Sequence, residues 1–315
     1  MTTALNVPQL SQEPLASVLR VLQLTSAGED QFEADCLPQM GRVYGGQVLA
    51  QALLAAAATV ADVSPERLPH SFHAYFLRGG DPQKSFQLKV HRSHDGRSFS
   101  SRQVNATQGG KDILTLLASF QLPQSGVEHD RQMPQVPAPE ELRSALEYFR
   151  EMDHPVGKFL GKTVAFGVRH VQETLYVRAR GDGDRRQQLW MRPRAHIDGA
   201  NQLLGRVLLA YVIDQVMMEP ALRAHGLSWI TPGMALASLD HAMWFYRDFD
   251  INDWLLYDQE SPSAQGARAL GHTRVFTADG ILVAEAMQEA MLRLPQEGDH
   301  SGSSSWTFDA VPPQS

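Results

Sequence analysis

The sequence has very little cysteine, with Cys36 as the single one among 315 residues. An internal disulfide is therefore impossible, and the composition fits a reducing compartment better than secretion. Long apolar runs are also absent, because the longest, near residues 48–61, falls short of the roughly 20 residues that a membrane span needs. Residues 1–12 show no basic segment followed by an apolar one, so no secretory signal is predicted. We expect a cytoplasmic protein without membrane insertion.

Signatures of several enzyme classes are missing as well. The chain has no G-x-S-x-G segment, no H-E-x-x-H, no Walker loop and no dinucleotide-binding glycine pattern. A net charge of −7 argues against nucleic acid, whose binding depends on clustered Lys and Arg. His70 and His73 lack nearby acidic or Cys partners for a metal, and Cys36 lies among acidic neighbours that do not activate a thiol. We therefore predict no metal and no cofactor.

The chain does contain enough apolar residues, 43%, to build two ordinary domain cores. Its halves repeat one order of features: an apolar helix, an aromatic strand that opens with histidine, an arginine strand and a strand that ends at glutamine. Such an ordered recurrence favours two similar fused domains over chance. The paired features are residues 46–60 and 202–218, His73 and His241, Arg102 and Arg268, and Gln121 and Gln288.

Each half reads as one long helix followed by antiparallel strands, which predicts an α+β fold. Hairpin turns are indicated at Gly109-Gly110 and Asp279-Gly280, each between apolar runs. The first helix is apolar on nearly all sides, so we expect a sheet to enclose it. The predicted strands span residues 86–91, 98–107, 113–122, 254–259, 267–277 and 281–294.

The composition along the chain suggests where the domains begin and end. We predict a first domain over residues 13–125 and a second over 161–295. Residues 126–160 are rich in proline and charge and are interpreted as a linker, with a Glu-rich helical piece near residues 139–151. Residues 296–315 are rich in Gly, Ser and Pro, which is typical of a flexible tail.

Asp214 is the most conspicuous polar residue, because it interrupts the apolar run of the second helix. A carboxylate there is costly unless it is hydrogen-bonded or needed, and burial would raise its pKa toward that of a general base. Alternatively, Asp214 and Gln215 form a narrow solvent-facing stripe. Gln288 interrupts a strand in the same way, or is simply an outward polar residue. Ser238 is equally compatible with a structural role in its strand.

Two further positions are candidates for contact with a ligand. Gly45 and Gly46 directly precede the first helix, where free backbone N–H groups and the helix dipole favour an anion. The alternative is a tight turn into the helix. His73 is a candidate for substrate contact, with a structural role as the alternative.

Six stretches of the sequence are distinctive when taken in order. They are VYGGQVLAQAL at 43–53, HSFHAYFLR at 70–78, DGRSF at 95–99, LDHAMWF at 239–245, WLLY at 254–257 and DGILVA at 279–284. Together they resemble the TesB-type acyl-CoA thioesterase II family, and the resemblance covers about residues 15–294. It implies two hot-dog domains in one chain, each a long helix wrapped by an antiparallel sheet.

The resemblance also implies an activity, the hydrolysis of fatty acyl-CoA to free fatty acid and CoA. The family's catalytic Asp, hydroxyl residue and Gln match Asp214, Ser238 and Gln288, which would hold and activate a water without a covalent intermediate. Gly45 or Gly46 would then supply an oxyanion donor. A homodimer or homotetramer is expected, because the sheets of such folds offer broad faces for pairing.

Two other functions stay open. A non-catalytic acyl-CoA binding or sensing protein would keep the acyl tunnel without needing the polar trio. A hot-dog enoyl-CoA hydratase would need a histidine beside a catalytic Asp, and no such pair is evident in the sequence. The bulky Val212 and Ile213 before Asp214 depart from the family's pattern and leave the acyl chain length open.

Overall fold

A computed structural model describes residues 14–39, 41–152, 155–176, 183–229 and 231–294. Within these ranges thirteen strands join in one sheet. Two long, apolar helices lie side by side against it. The predicted tail at 296–315 and the segment 1–12 lie outside the described residues.

The first half follows the predicted order closely. The Ala-rich helix predicted at 46–60 is confirmed, and most of its side chains are buried because the sheet and the second long helix enclose it, while Ala58 and Ala61 near its end are exposed. Gly109 and Gly110 form the predicted hairpin turn, with φ of 57° and 75°. The elements are α1 Pro14–Val21, β1 Thr25–Gly28, β2 Gln31–Ala34, α2 Gly45–Ala61, β3 Leu68–Phe76, β4 Phe86–Asp95, β5 Phe99–Gln108 and β6 Lys111–Gln121.

The segment between the halves is partly helical, as predicted for residues 139–151. It contains two short helices, and Phe149 on the first of them is fully buried against the core. A 3-10 turn at Pro139–Glu141 precedes them. These helices are α3 Ala145–Glu151 and α4 Pro155–Thr163.

The second half repeats the first with one difference in its long helix. The helix predicted at 202–218 ends at Ile213, and Asp214 is its C-cap. Residues 215–218 form turns that lead into a short helix. The elements are β7 Phe166–His170, β8 Arg186–Pro193, α5 Gln202–Ile213, α6 Glu219–Ala224, β9 Ala235–Ser238, β10 Asp240–Phe245, β11 Leu255–Gln265, β12 Arg268–Thr277 and β13 Leu282–Arg293.

The strand order is the same on both sides of the central pair, β3 and β10. It runs β1-β2-β4-β5-β6-β3-β10-β13-β12-β11-β8-β7, with β9 paired to β13. β3 and β10 therefore join the halves edge to edge, and α2 packs on α5 beneath that junction. Within the described residues, every helix is too short or too polar to cross a membrane.

The register at the junction corrects the proposed histidine repeat. His73 pairs with Ala242. The bulge of β3 at His70 and the break between β9 and β10 at Leu239 each lie three residues before this pair, which places the approximate two-fold axis between His73 and Ala242. Under that symmetry the counterpart of His241 is Phe72. Both point inward and are buried, whereas His73 points to the outer face. A shift of one residue along a strand moves a side chain to the opposite face of the sheet.

The glutamine repeat is corrected in the same way. Leu117 lies opposite His73 and Met287 lies opposite Ala242, so these two residues are counterparts. One position further along each strand, Gln288 matches Ala118. Gln121 lies three residues beyond Ala118. The predicted repeat therefore has the right order of elements, but its residue-by-residue register is wrong.

A glycine allows the two long helices to approach each other. A Cβ placed on Gly46 would lie 2.2 Å from the backbone oxygen of Tyr211 at the end of α5. The Tyr44 hydroxyl donates to that same oxygen at 2.7 Å. Close contact between the first turn of α2 and the last turn of α5 therefore requires glycine at position 46.

Gly46→Ala is expected to destabilise the fold by about 1–3 kcal/mol, because the added methyl group forces α2 away from α5. Chemical denaturation measures the change. Gly126→Ala is the matched control, since a Cβ at that position meets no atom within 4 Å. Equal stability of the two variants would contradict the close packing described here.

Candidate active site

Asp214 lies where the ends of the two long helices meet. As the C-cap of α5, it directs its carboxylate toward the first turn of α2, and its Oδ2 accepts the Gly46 N–H at 2.8 Å. The carboxylate thus lies beside the positive end of the α2 dipole. The solvent-stripe alternative does not describe this residue, because its carboxylate faces the other half of the molecule.

Ser238 and Gln288 join Asp214 from separate strands. The Ser238 Oγ, at the end of β9, lies 3.5 Å from the Asp214 Oδ1. The Gln288 Nε2 on β13 donates to the Ser238 Oγ at 2.9 Å. The side chain of Gln288 is buried on the inner face of the sheet, so it is not an outward polar residue. The structure therefore brings together the three residues that were predicted from the sequence.

The paired glycines have different positions at this site. The Gly46 N–H is already bonded to Asp214. Gly45 lines the cavity next to the carboxylate, and a Cβ on it would lie 2.9 Å from both the Asp214 Oδ2 and the Phe76 ring. As the first residue of α2, Gly45 carries an N–H with no acceptor inside the helix.

His241 belongs to the cluster and was not recognised from the sequence. Its Nδ1 lies 2.5 Å from the Gln288 Oε1, and the residue is 1% exposed. The alternation along β10 places His241, Met243 and Phe245 on the inner face, and that pattern was the available signal. The sequence repeat matched His241 to the exposed His73, and this match concealed the inward position of His241.

His73 lies apart from this cluster. It is on the outer face of β3, where its ring meets Trp244 edge-on with centroids 5.3 Å apart. It is not among the residues that line the cavity. The geometry therefore gives His73 no contact with a ligand at Asp214.

A cavity of about 830 Å³ opens onto the cluster. Its wall combines apolar side chains with several cations, and Asp214, Ser238 and Gln288 lie together on it. Among the described residues, no group of three or more His, Cys, Asp or Glu side chains could hold a metal ion. The apolar and cationic lining residues include Val18, Val21, Phe159, Leu160, Phe166, Trp229, Arg20, Arg42, Arg78 and Lys162.

Burial raises the pKa of the Asp214 carboxyl above its usual value, even though one side of the carboxylate faces the cavity. The charge of His241, when that imidazole is protonated, and the donors from Gly46, Gln288 and Ser238 act in the opposite direction and lower the pKa of Asp214. Burial also lowers the pKa of His241. The first effect makes Asp214 a stronger base than an exposed aspartate.

Only one of the two symmetry-related positions carries this polar set. At the other position, the register of the strands places apolar residues or proline where the cluster has Ser, His and Gln. The fold could in principle form two such sites, and this chain builds one. The polar residues and their counterparts are Ser238 and Pro69, His241 and Phe72, and Gln288 and Ala118.

Comparison with known proteins agrees with this geometry. A family model described as acyl-CoA thioesterase matches residues 162–291, and one described as acyl-CoA thioesterase N-terminal domain matches residues 34–121. Human acyl-coenzyme A thioesterase 8 is 34% identical over 90% of this chain and 91% of its own length. The chain belongs to the acyl-CoA thioesterase II family. Acyl-CoA thioesterase 2 of Haemophilus influenzae is 35% identical to this thioesterase over 81% of the chain and 89% of the relative.

Solved structures confirm the double hot-dog fold of the thioesterase. The acyl-CoA thioesterase II TesB2 from Mycobacterium marinum superposes with a TM-score of 0.73 at 36% identity. The match covers 89% of this chain and 99% of that one. The predicted α+β class and the expected family are therefore both confirmed.

Asp214→Asn is expected to raise the melting temperature near neutral pH. Burial lifts the folded-state pKa above the ordinary value of 3.8, so ionised Asp214 destabilises the fold increasingly as the pH rises through the folded-state pKa. Asparagine removes the charge and keeps an oxygen for the Gly46 N–H. We expect a gain of roughly 2–4 °C, the shift that 1 kcal/mol produces in a domain of 150–250 residues.

Thermal unfolding across a pH series measures this effect. The gain should shrink as the pH falls and vanish below 3.8, where the carboxyl is protonated in both the folded and the unfolded chain. A variant that is less stable than the parent at every pH would refute the destabilising role of the carboxylate.

Proposed function

We propose that this thioesterase hydrolyses fatty acyl-CoA through direct attack by a water molecule that Asp214, Ser238 and Gln288 hold. The observation that carries the proposal is the chain of contacts from Gln288 through Ser238 to Asp214 on the wall of a large cavity. A carboxylate whose pKa is raised by burial is suited to accept a proton from water. No side chain of the trio needs to form a bond to the substrate.

The proposed reaction has two steps. In the first, the water oxygen bonds to the thioester carbonyl carbon while one water proton passes to Asp214. In the second, the resulting oxyanion collapses, the carbon–sulfur bond breaks, and the sulfur takes the proton from Asp214. The products are the fatty acid and the CoA thiol, and the carboxylate is regenerated.

The Gly45 N–H is the proposed donor to the oxyanion. It lies on the cavity wall at the start of α2, next to the carboxylate that binds the water. A fixed backbone donor stabilises charge as it develops without having to reorganise. The N–H of Gly46 supports the base instead, because it is bonded to Asp214.

The lining of the cavity suits the two parts of an acyl-CoA. Apolar side chains from α1 and α4, such as Val18 and Phe159, provide a surface for an acyl chain. Arg42 and Arg78 lie on the same wall and can attract the phosphates of CoA, although the chain as a whole is acidic.

The position of His241 favours hydrolysis over hydration of an enoyl-CoA. A hydratase would require the histidine to reach the substrate beside Asp214. His241 is absent from the cavity wall, and its Nδ1 is bonded to Gln288. A purely binding or sensing role is disfavoured, because it would not require a buried polar chain that ends at a carboxylate.

Asp214→Asn should lower kcat for palmitoyl-CoA by about 10² to 10⁴-fold, the usual effect of losing a general base. Release of free CoA, followed with a thiol reagent, measures the rate. Asp253→Asn is the control, because Asp253 is exposed and away from the cavity.

The same assay separates hydrolysis from binding alone. Thiol release by the parent chain supports hydrolysis, whereas binding without thiol release would support the sensor. The intact mass of the enzyme during turnover should show no acyl adduct. An adduct, or near-normal turnover by Asp214→Asn, would defeat the proposed mechanism.

We also propose that the outer face of the central strands pairs with a second copy of this chain. Leu117, His73, Ala242 and Met287 form one row across β6, β3, β10 and β13, and Tyr75 lies beside it. Leu117 and Tyr75 are 49% and 63% exposed. The row carries no Asp, Glu, Lys or Arg, so a second copy can cover it without burying an unpaired charge. The same row on both copies would form a closed two-fold interface.

Leu117→Glu combined with Met287→Glu is expected to dissociate the assembly, because the substitutions place like charges opposite each other across the interface. Sedimentation velocity measures the mass. Val63→Glu is the matched control, since Val63 is 45% exposed and lies outside the sheet. An unchanged mass for the double variant would refute this interface.

A further inference from the structure

His241 lies behind the polar trio and has no access to the cavity. It is buried on the inner face of β10, and its Nδ1 approaches the Gln288 Oε1 at 2.5 Å. Because His241 is not on the cavity wall, it cannot touch a substrate there. Its hydrogen-bonded connection to the site passes through Gln288.

The contact with the Gln288 Oε1 is the hydrogen bond that holds the imidazole in place. The ring stacks on Phe72, with centroids 5.7 Å apart and planes 15° apart. Its Nε2 is buried and finds no partner within the described part of the chain. One face of the ring is thus packed against an aromatic side chain, and one nitrogen alone is bonded.

The unpartnered Nε2 indicates which nitrogen carries the proton. If the proton were on Nε2, a buried N–H donor would remain without an acceptor. If it is on Nδ1, Nε2 is only an unused acceptor, and buried acceptors without partners are more common than buried donors without partners. Burial also lowers the pKa of His241, which favours the neutral ring. Both considerations select the neutral Nδ1–H form.

That tautomer determines the orientation of the Gln288 amide. The Nδ1–H donates to Oε1, which leaves Nε2 to donate to the Ser238 Oγ at 2.9 Å. Because Ser238 accepts that bond, its own hydroxyl hydrogen is directed to the Asp214 Oδ1 at 3.5 Å or to a water between them. Every hydrogen-bond donor in this series, from His241 through Gln288 to Ser238, then points toward the Asp214 carboxylate.

We infer that His241 is a positioning residue that holds the Gln288 amide in the orientation that donates to Ser238. The inference rests on the proposed role of the trio in activating water. With the amide reversed, its oxygen would face Ser238 and accept the hydroxyl hydrogen. Asp214 would then lose a donor, and Gln288 would have no N–H to offer to the water or the oxyanion.

Two substitutions separate this role from simple packing. His241→Leu removes the donor and should lower kcat on the order of ten- to hundredfold, the range found when a group that orients a catalytic ligand is lost. KM should stay within about twofold, because the ring does not line the cavity. His241→Asn places an amide N–H near the Nδ1 position and should restore most of the activity.

A double-mutant cycle tests whether His241 acts through Gln288. Gln288→Ala with His241→Leu should be no slower than Gln288→Ala alone, because the second change then has nothing left to orient. Phe72→Leu is the packing control, since it loosens the ring stack without removing the donor. Circular dichroism and melting temperature establish that each variant is folded.

A spectroscopic measurement on the parent chain needs no variant. Long-range ¹H–¹⁵N correlation spectra of the imidazole should show His241 as the neutral Nδ1–H tautomer. An Nε2–H tautomer, an additive cycle or an unimpaired His241→Leu would overturn the positioning role. Each of these results is distinguishable from failure of the proposed function, which would appear as near-normal turnover by Asp214→Asn.

Discussion

The contact between the Gly46 N–H and the Asp214 carboxylate is the interaction on which this molecule depends. It joins the start of one half's central helix to the end of the other's, so neither half holds the carboxylate alone. Position 46 must be glycine, because the Tyr211 carbonyl occupies the space that a side chain would need. The orientation of the base, its partial desolvation and the adjacent Gly45 N–H all follow from this approach of two helix ends.

Much of the fold could be predicted from the sequence, because apolar periodicity indicates the long helices and strands directly. Asp214 was recognised as a polar interruption of an apolar run, and the resemblance to a family connected it to Ser238 and Gln288. The end of α5 was not predictable from that run, since residues 216–218 beyond Asp214 and Gln215 are as apolar as the helix. The helical piece within the predicted linker was recognisable from its sequence, but the burial of Phe149 on α3 was not, because the surrounding proline and charge indicate an exposed segment.

The repeat shows where sequence reasoning reaches its limit. Matching His73 to His241 reproduced the order of elements but shifted the register, and a one-residue shift exchanges the inner and outer faces of a strand. His241 therefore escaped notice, although it contacts Gln288. Its importance comes from a neighbouring strand 47 residues away in the chain, and no local pattern reports such a contact.

The loss of polar residues at the second symmetry-related position has a consequence for how this enzyme can change over evolution. In a homodimer of single hot-dog subunits, a mutation enters both copies at once, so a change that stabilises one pocket also alters the other. Fusion into one chain removes that restriction. Pro69, Phe72 and Ala118 can serve the packing of the molecule, while Ser238, His241 and Gln288 remain free to follow the demands of the substrate.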